Sequence, residues 1–209
     1  MKSILYRFAR LGGLICGYIW TVKIASAVHN CKNYFYSGLV KRRFSYFGIG
    51  SIVCWKCQFA NESRISIGNN TYICGDGCIT AWKGTHYDDG QKIITIGDNV
   101  QIGSSCHITA IKSVVIEDGC LIGKRVTITD NSHGRTDRDS LIIPPQKREL
   151  YSKGDVVIGR NVWIGDKATI LPGVHIGENS IIGANSIVSS DLPSNCIYVN
   201  NGNKIIKQI

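Results

Sequence analysis

The side chains best suited to acid–base, nucleophilic or metal chemistry are five histidines and nine cysteines in 209 residues. Histidine titrates near neutral pH and can take the proton of an attacking hydroxyl group. His133 ends the polar run Asp130, Asn131 and Ser132, which could orient its ring or hold a substrate. Spacing alone favours an ordinary solvent-exposed loop histidine, so the surrounding pattern has to decide.

The other histidines offer weaker signals. His107 precedes the apolar Ile108, so strand alternation points it outward, either towards an acceptor groove or only into solvent. Trp82 opens a polar insertion containing His86 that could stack on a sugar, although an ordinary surface loop has the same composition. The histidines show no paired ligand spacing, so zinc chemistry on three converging histidines is disfavoured and no metal is expected.

The cysteines do not form the even, compact framework of a disulfide-rich secreted protein. Cys54 and Cys57 make a single C-x-x-C without a second pair nearby. The cysteines further along the chain are expected to act as small buried hydrophobic residues. A reducing compartment, the cytoplasm, is therefore predicted.

Branched apolar residues recur every sixth position in five groups of three, often followed by glycine. The groups are Ile67, Ile73, Ile79; Ile96, Ile102, Ile108; Ile116, Ile122, Ile128; Ile158, Ile164, Ile170; and Ile176, Ile182, Val188. Six residues suit one short strand and one corner of a solenoid, and three such units complete a triangular turn. The pattern predicts an all-β, parallel β-helix of about five coils over residues 64–194.

Two long insertions interrupt the repeat, at residues 80–95 and 129–157. Each follows a third unit, so both should leave the coil at the same corner. Loops stacked on one edge of a solenoid commonly build the binding site. The insertions therefore place Trp82 and His133 on one side of the predicted molecule.

The segment 1–63 is distinct from the coil. Residues 1–61 contain nine Lys or Arg and no Asp or Glu, whereas the remaining fifteen basic residues balance fifteen acidic ones. This excess favours an anionic surface, a membrane or an acidic polysaccharide, over nucleic acid, for which no recognition motif is present. Apolar residues at helical spacing predict an amphipathic helix too short to span a bilayer, and a signal peptide is the alternative. The tail 195–209 is expected to be irregular and to cover the last edge of the coil.

Two segments carry a family resemblance. Residues 152–193 resemble the C-terminal coils of hexapeptide-repeat acetyltransferases of the galactoside and maltose group. Residues 128–134 are similar to the catalytic segment of relatives that acetylate capsule and O-antigen sugars. The resemblance implies a left-handed β-helix, acetyl-CoA as donor, a homotrimer with active sites between subunits, and His133 as the general base of direct transfer.

The resemblance also implies which residues meet coenzyme A. These are Trp163, Gly165, Asp166, Ala184, Ser189, Ser190 and Lys204. The chain departs from the family where Ser190 replaces a lysine and where no proline precedes Lys204. Trp163 has an alternative role as a packing residue between coils.

The expected function is O-acetylation of a capsule or lipopolysaccharide sugar at the cytoplasmic face of the inner membrane. Asn131, His107 and Trp82 are the predicted acceptor contacts. Two alternatives stay open: an N-acetyltransferase for an amino-sugar nucleotide or another small molecule, and a non-catalytic trimeric scaffold at the membrane.

Overall fold

The computed structural model describes residues 2–19, 21–82, 91–200 and 204–208. Two helices, α1 (Lys2–Ile19) and α2 (Val22–Val40), precede a triangular coil of short parallel strands. Three-residue 3-10 turns follow α2 at Lys41–Arg43 and lie in the first coils at Glu62–Arg64. The predicted β-helix is therefore confirmed, and it is preceded by two helices instead of one.

The coil has three faces, each a sheet of stacked strands numbered in chain order. Face A holds β1 (Tyr46–Phe47), β4 (Ile65–Ile67), β7 (Ile94–Ile96), β10 (Val114–Ile116), β15 (Val156–Ile158) and β18 (His175–Ile176). Face B holds β2 (Ile52–Val53), β5 (Tyr72–Ile73), β8 (Gln101–Ile102), β11 (Leu121–Ile122), β16 (Trp163–Ile164), β19 (Ile181–Ile182), β21 (Cys196–Asn200) and β22 (Lys204–Gln208). Face C holds β3 (Gln58–Ala60), β6 (Cys78–Ala81), β9 (His107–Ala110), β12 (Thr127–Thr129), β17 (Thr169–Ile170) and β20 (Ile187–Val188).

The fifteen predicted apolar positions all point into the prism, and none is more than 2% exposed. Register pairs them with one another from coil to coil, as Ile116 does with Ile96 and Ile158. Burying each of these branched side chains contributes about 1.5–3 kcal/mol to the free energy of unfolding, so the fifteen residues together are a major source of stability.

The corners of the coil rely on residues with positive φ. At the corner between faces A and B, Asn161, Asn179 and Asn195 adopt φ of 56°, 58° and 57°. Their amides hydrogen-bond in a ladder, Asn161 Nδ2 to Asn179 Oδ1 at 3.1 Å and Asn179 Nδ2 to Asn195 Oδ1 at 3.2 Å. Asparagine tolerates this left-handed backbone region better than most residues.

The coil is longer than the isoleucine pattern predicts. A sixth complete turn, β1 to β3, starts the coil at Tyr46, ahead of the boundary at residue 64 that the pattern predicts. Phe47, Val53 and Phe59 keep the six-residue spacing and fill this turn. Two aromatic residues in place of isoleucine hid the repeat, and the wider rings pack against Phe44 at the open end.

Helix α2 covers the first turn of the coil. Its buried face presents Ser37, whose hydroxyl accepts the Val53 N–H at 2.9 Å. The same hydroxyl lies within donating distance of two carbonyls, that of Asn33 at 2.8 Å and that of Val53 at 3.1 Å. Asn33 Oδ1 accepts the Trp55 N–H at 3.0 Å. The helix therefore satisfies backbone groups that the edge strand β2 would otherwise leave open.

The described part of the C-terminal tail forms two strands, in contrast to the irregular segment expected. β21 continues face B beside β19, and β22 pairs antiparallel with β21. Tyr198 turns inward, is 2% exposed, and donates from its hydroxyl to the Ile187 carbonyl at 2.8 Å. Alternation in residues 196–200 lets the strand fill the last opening of the prism while extending its edge.

Both long insertions leave the corner between faces C and A, as predicted, and we call it the third corner. Of the first insertion, residues 83–90, including His86, lie outside the described part of the chain. The second forms an antiparallel hairpin of β13 (Asn131–His133) and β14 (Leu150–Ser152). A short helix, α3 (Arg138–Leu141), and a 3-10 turn at Pro145–Lys147 fill its tip.

Candidate active site

Asp130 anchors the hairpin at the third corner. Its carboxylate is fully buried and accepts the backbone N–H groups of Ile111, Lys112 and Ser113 at 2.9, 2.7 and 2.8 Å. These three amides belong to the third corner of the preceding coil. Asp130 therefore ties two stacked corners together, and its carboxylate is occupied by backbone instead of by the His133 ring.

Thr109 is the point at which two predicted acceptor residues meet. Trp82 Nε1–H donates to the Thr109 hydroxyl at 3.0 Å, and Asn131 Nδ2 lies 3.4 Å from the same oxygen. Asn131 Nδ2 also donates to Asp130 Oδ1 at 3.0 Å. Three consecutive coils thus contribute to one polar surface beside the hairpin.

His133 ends strand β13, pairs in register with Leu150, and is exposed. Asn131 and His133 both lie on β13, so their side chains point to the same face of the hairpin. His107 is exposed on β9, two residues before Thr109, and therefore shares the outer surface of face C with that hydroxyl. The structure therefore brings Trp82 and Asn131 together at Thr109, with His133 on the same strand as Asn131 and His107 on the same strand as Thr109.

The predicted cofactor residues fall at two places. Gly165, Asp166 and Ala184 stack at the corner between faces B and C, which we call the second corner. A side chain on Gly165 would place its Cβ 2.6 Å from the Ala184 nitrogen, so glycine is needed there by coil stacking alone. Asp166 Oδ1 accepts the Lys124 N–H at 2.8 Å, which makes this carboxylate a corner cap.

The remaining cofactor predictions lie elsewhere. Trp163 is 50% exposed on face B between Leu121 and Ile181. Lys204 begins β22 on the same face, paired with Asn200. Ser189 and Ser190 are exposed and follow β20 at the third corner. Within one chain these residues do not form a single cofactor cleft, and their roles stay predictions.

Sequence reasoning missed two features of this region. Thr109 carried no signal, because its importance comes from contacts made across three coils. The basic residues Lys124, Arg125 and Lys167 are exposed at the second corner, where the Lys167 N–H donates to the Lys124 carbonyl at 2.8 Å. Stacking of the coils places Lys124 beside Asp166 although the two residues are 42 positions apart in the sequence.

Two thiols of the coil, those of Cys57 and Cys120, are buried. Burial raises the pKa of Cys57 from 9.0 to about 12, and burial raises the pKa of Cys120 to about 11. Their S–H groups point to the carbonyls of Cys74 and Gly159, at 2.9 and 3.1 Å. All nine cysteines are free, and the described residues contain no cluster of three metal-binding side chains.

Two family models match the coil. Residues 155–190 match the bacterial transferase hexapeptide (six repeats), and residues 93–130 match the hexapeptide repeat of succinyl-transferase. Among curated proteins, the putative lipopolysaccharide biosynthesis O-acetyl transferase WbbJ of Escherichia coli K12 is 36% identical over 162 residues, 75% of this chain and 78% of the relative. Galactoside O-acetyltransferase of the same organism is 35% identical over 82% of this chain and 67% of the relative.

Solved structures share the fold. A variant of AntD, an N-acyltransferase from Bacillus cereus in complex with dTDP-4-amino-4,6-dideoxyglucose and coenzyme A, matches with a TM-score of 0.66 and 25% identity, covering 83% of this chain and 89% of that one. A hexapeptide-repeat acetyltransferase from Vibrio cholerae complexed with acetyl coenzyme A matches at 0.52 and 24% identity, covering 82% and 74%. With the parallel strand order, these matches show that the coil is a left-handed β-helix.

Proposed function

We propose that this chain, which belongs to the hexapeptide-repeat acetyltransferases, acetylates a hydroxyl group on a sugar of a surface polysaccharide such as lipopolysaccharide or capsule. The chain is an acetyltransferase and acetyl-CoA is its donor. The observation that carries the finer assignment is the relative named for lipopolysaccharide O-acetylation, which aligns with 75% of this chain.

In the proposed mechanism, His133 takes the proton of the sugar hydroxyl as its oxygen attacks the thioester carbonyl. The tetrahedral intermediate collapses, the carbon–sulfur bond breaks, and the proton returns from His133 to the departing thiolate of coenzyme A. No bond to the protein forms. Support comes from the exposed position of His133 on a hairpin that Asp130 fixes to the coil, beside the polar surface around Thr109.

The acceptor surface has the composition expected for a sugar site. Trp82 is 45% exposed and offers a ring face, and the half-buried Asn131 offers an amide group next to it, while the buried Thr109 hydroxyl holds both side chains in place. Aromatic rings that have one apolar face and a fixed polar contact suit a sugar ring. His107 extends this surface along face C.

Coenzyme A carries phosphates, and the second corner offers cations for them. Lys124, Arg125 and Lys167 are exposed there, next to Gly165 and Ala184. In the proposed homotrimer, a neighbouring subunit would bring this corner towards a hairpin carrying His133.

The test is to measure turnover of acetyl-CoA with purified glycan or sugar acceptors, using the release of the free thiol of coenzyme A as the readout. His133→Gln should lower kcat by about 10²–10⁴, because general-base catalysis contributes that much, with little change in KM for acetyl-CoA. His175→Gln is the matched control, since His175 is also exposed but lies on face A beside Asp155. Equal rates for the two variants would reject His133 as base, and no turnover with any acceptor would favour a scaffold.

A second function has specific support, N-acylation of an amino sugar nucleotide, because the AntD structure holds such a sugar and coenzyme A. The product separates the two. An O-acetyl ester is cleaved by mild alkali, whereas an N-acetyl amide survives, so loss of the acetyl group after alkaline treatment identifies O-acetylation. A product that keeps its acetyl group in alkali would reject O-acetylation of a polysaccharide and favour N-acylation of an amino sugar nucleotide.

A further inference from the structure

Helix α1 carries an apolar surface that no part of the described chain covers. Every side chain from Lys2 to Gly17 is exposed. Five apolar side chains fall on one side of the helix at 100° per residue, and each is more than half exposed. They are Ile4, Leu5, Phe8, Leu11 and Ile15.

The other side of α1 carries its three basic residues, Lys2, Arg7 and Arg10, and no acidic residue. The exposed Tyr6 and Leu14 lie between them. A helix with a broad apolar face and a basic polar face is the pattern of an interfacial membrane helix.

Helix α2 repeats the arrangement on its outer side. Its inner side, with Asn33, Ser37 and Val40, is buried against the coil. The side facing away carries apolar residues at helical spacing. They are Ile24, Val28, Phe35 and Leu39, with exposures of 39%, 51%, 69% and 61%. The docked face cannot account for this second stripe.

Charge decides between the possible occupants of these surfaces. The first 61 residues hold nine basic side chains and no acidic one. A second copy of the same segment would bring like charges together, whereas an anionic lipid surface complements them. Within the described residues neither helix alone is long and apolar enough to cross a bilayer; α1 with residues 22–43 passes only as a bent pair, by length and composition.

We propose that α1 and the outward stripe of α2 bind in the plane of an anionic lipid bilayer and hold the first turn of the coil against it. The apolar residues enter the boundary between headgroups and acyl chains, and the basic residues contact anionic headgroups. This inference does not depend on the acceptor or on the identity of the base. It places the enzyme where lipid-linked saccharides would be available.

The test is co-sedimentation of the full chain with vesicles of phosphatidylglycerol and phosphatidylcholine, compared with pure phosphatidylcholine. Strong binding is expected only to the anionic vesicles, weakening as salt is raised. The variant Lys2→Gln, Arg7→Gln, Arg10→Gln should bind about a hundredfold more weakly, since each basic residue near an anionic surface contributes roughly a factor of five. Leu5→Asn, Phe8→Asn, Leu11→Asn should also lose binding.

Matched controls lie on the coil and the hairpin. Lys92→Gln, Lys153→Gln, Lys207→Gln removes three exposed charges, and Leu141→Asn, Ile142→Asn, Ile143→Asn removes three exposed apolar residues. Both controls should bind as the unaltered chain does. Equal binding to neutral vesicles, or loss of binding only in the controls, would overturn the proposal. A change of oligomeric state in the helix variants, measured by light scattering, would also overturn the proposal, since the helices would then lie between subunits.

Discussion

Asp130 shows at the level of one residue how the coil can position a reactive loop. Three backbone N–H groups from the preceding coil donate to its buried carboxylate, and Asn131 donates a fourth hydrogen bond. Hydrogen bonds to a charged group are stronger than neutral ones, and a buried donor left unpaired is costly. The start of strand β13 is therefore held rigidly although the hairpin itself is exposed.

The change Asp130→Asn tests this role. An amide NH₂ would face backbone donors in place of a carboxylate oxygen, so the free energy of unfolding should fall by about 3 kcal/mol. The KM for the acceptor should also rise, because Asn131 moves away from Thr109. A loss of stability alone would not change this KM in the protein that remains folded. Urea unfolding and acceptor titration measure the two effects.

Asp191→Asn is the matched control for this prediction. Asp191 is exposed and accepts one N–H group, that of His175, at 2.8 Å. Its substitution should cost less than about 1 kcal/mol. Similar losses for both variants would mean that burial and the triple acceptance at Asp130 carry no special weight.

At the level of elements, α2 acts as the cap of an open solenoid end. An edge strand exposes unpaired backbone groups that attract other strands. Ser37 and Asn33, which are polar yet 6% and 1% exposed, meet these groups on β2 and the residues after it. The buried polar face of this helix is explained by backbone pairing with the coil.

Ser37→Val should expose that dependence. Valine lacks the hydroxyl and leaves the buried Val53 N–H without its acceptor, so stability should fall by about 2 kcal/mol. Ser26→Val, at an exposed site of the same helix, should stay within about 0.5 kcal/mol. Urea unfolding of both variants decides, and equal losses would show that helix propensity, not capping, causes the effect.

For the whole molecule, buried thiols tie stability to alkaline pH. Burial raises the pKa of Cys57 to about 12 and of Cys120 to about 11, from 9.0. Because the folded state keeps these protons longer, their contribution to stability is complete below pH 9 and is lost as pH rises through the folded pKa values.

Unfolding free energy should therefore fall between pH 9 and 11 by as much as about 1.4 kcal/mol per pH unit for each thiol. Cys120→Val removes one titrating group and should make this decline shallower. Denaturant unfolding at several pH values compares the slopes. The same slope in both proteins would show that Cys120 does not titrate differently in the folded state.

The assembled coil also explains which site residues were predictable. Trp82, Asn131 and His133 could be found from polar residues placed at insertions, because insertions in a solenoid mark its functional edge. Thr109 and the basic trio Lys124, Arg125 and Lys167 could not, because only the stacking of coils brings them beside their neighbours.

The sequence alone determined the triangular coil, since a side chain every sixth residue has to point into the same prism however long the insertions are. It also determined the charge division between the N-terminal segment and the coil, which requires no coordinates. Only the tertiary structure decided the first turn, where Phe47 and Phe59 replace isoleucine, and the pairing of β21 with β22 next to the buried Tyr198. Both lie at the ends of the coil. There the six-residue repeat ends, and the structure depends on contacts between segments that do not follow it.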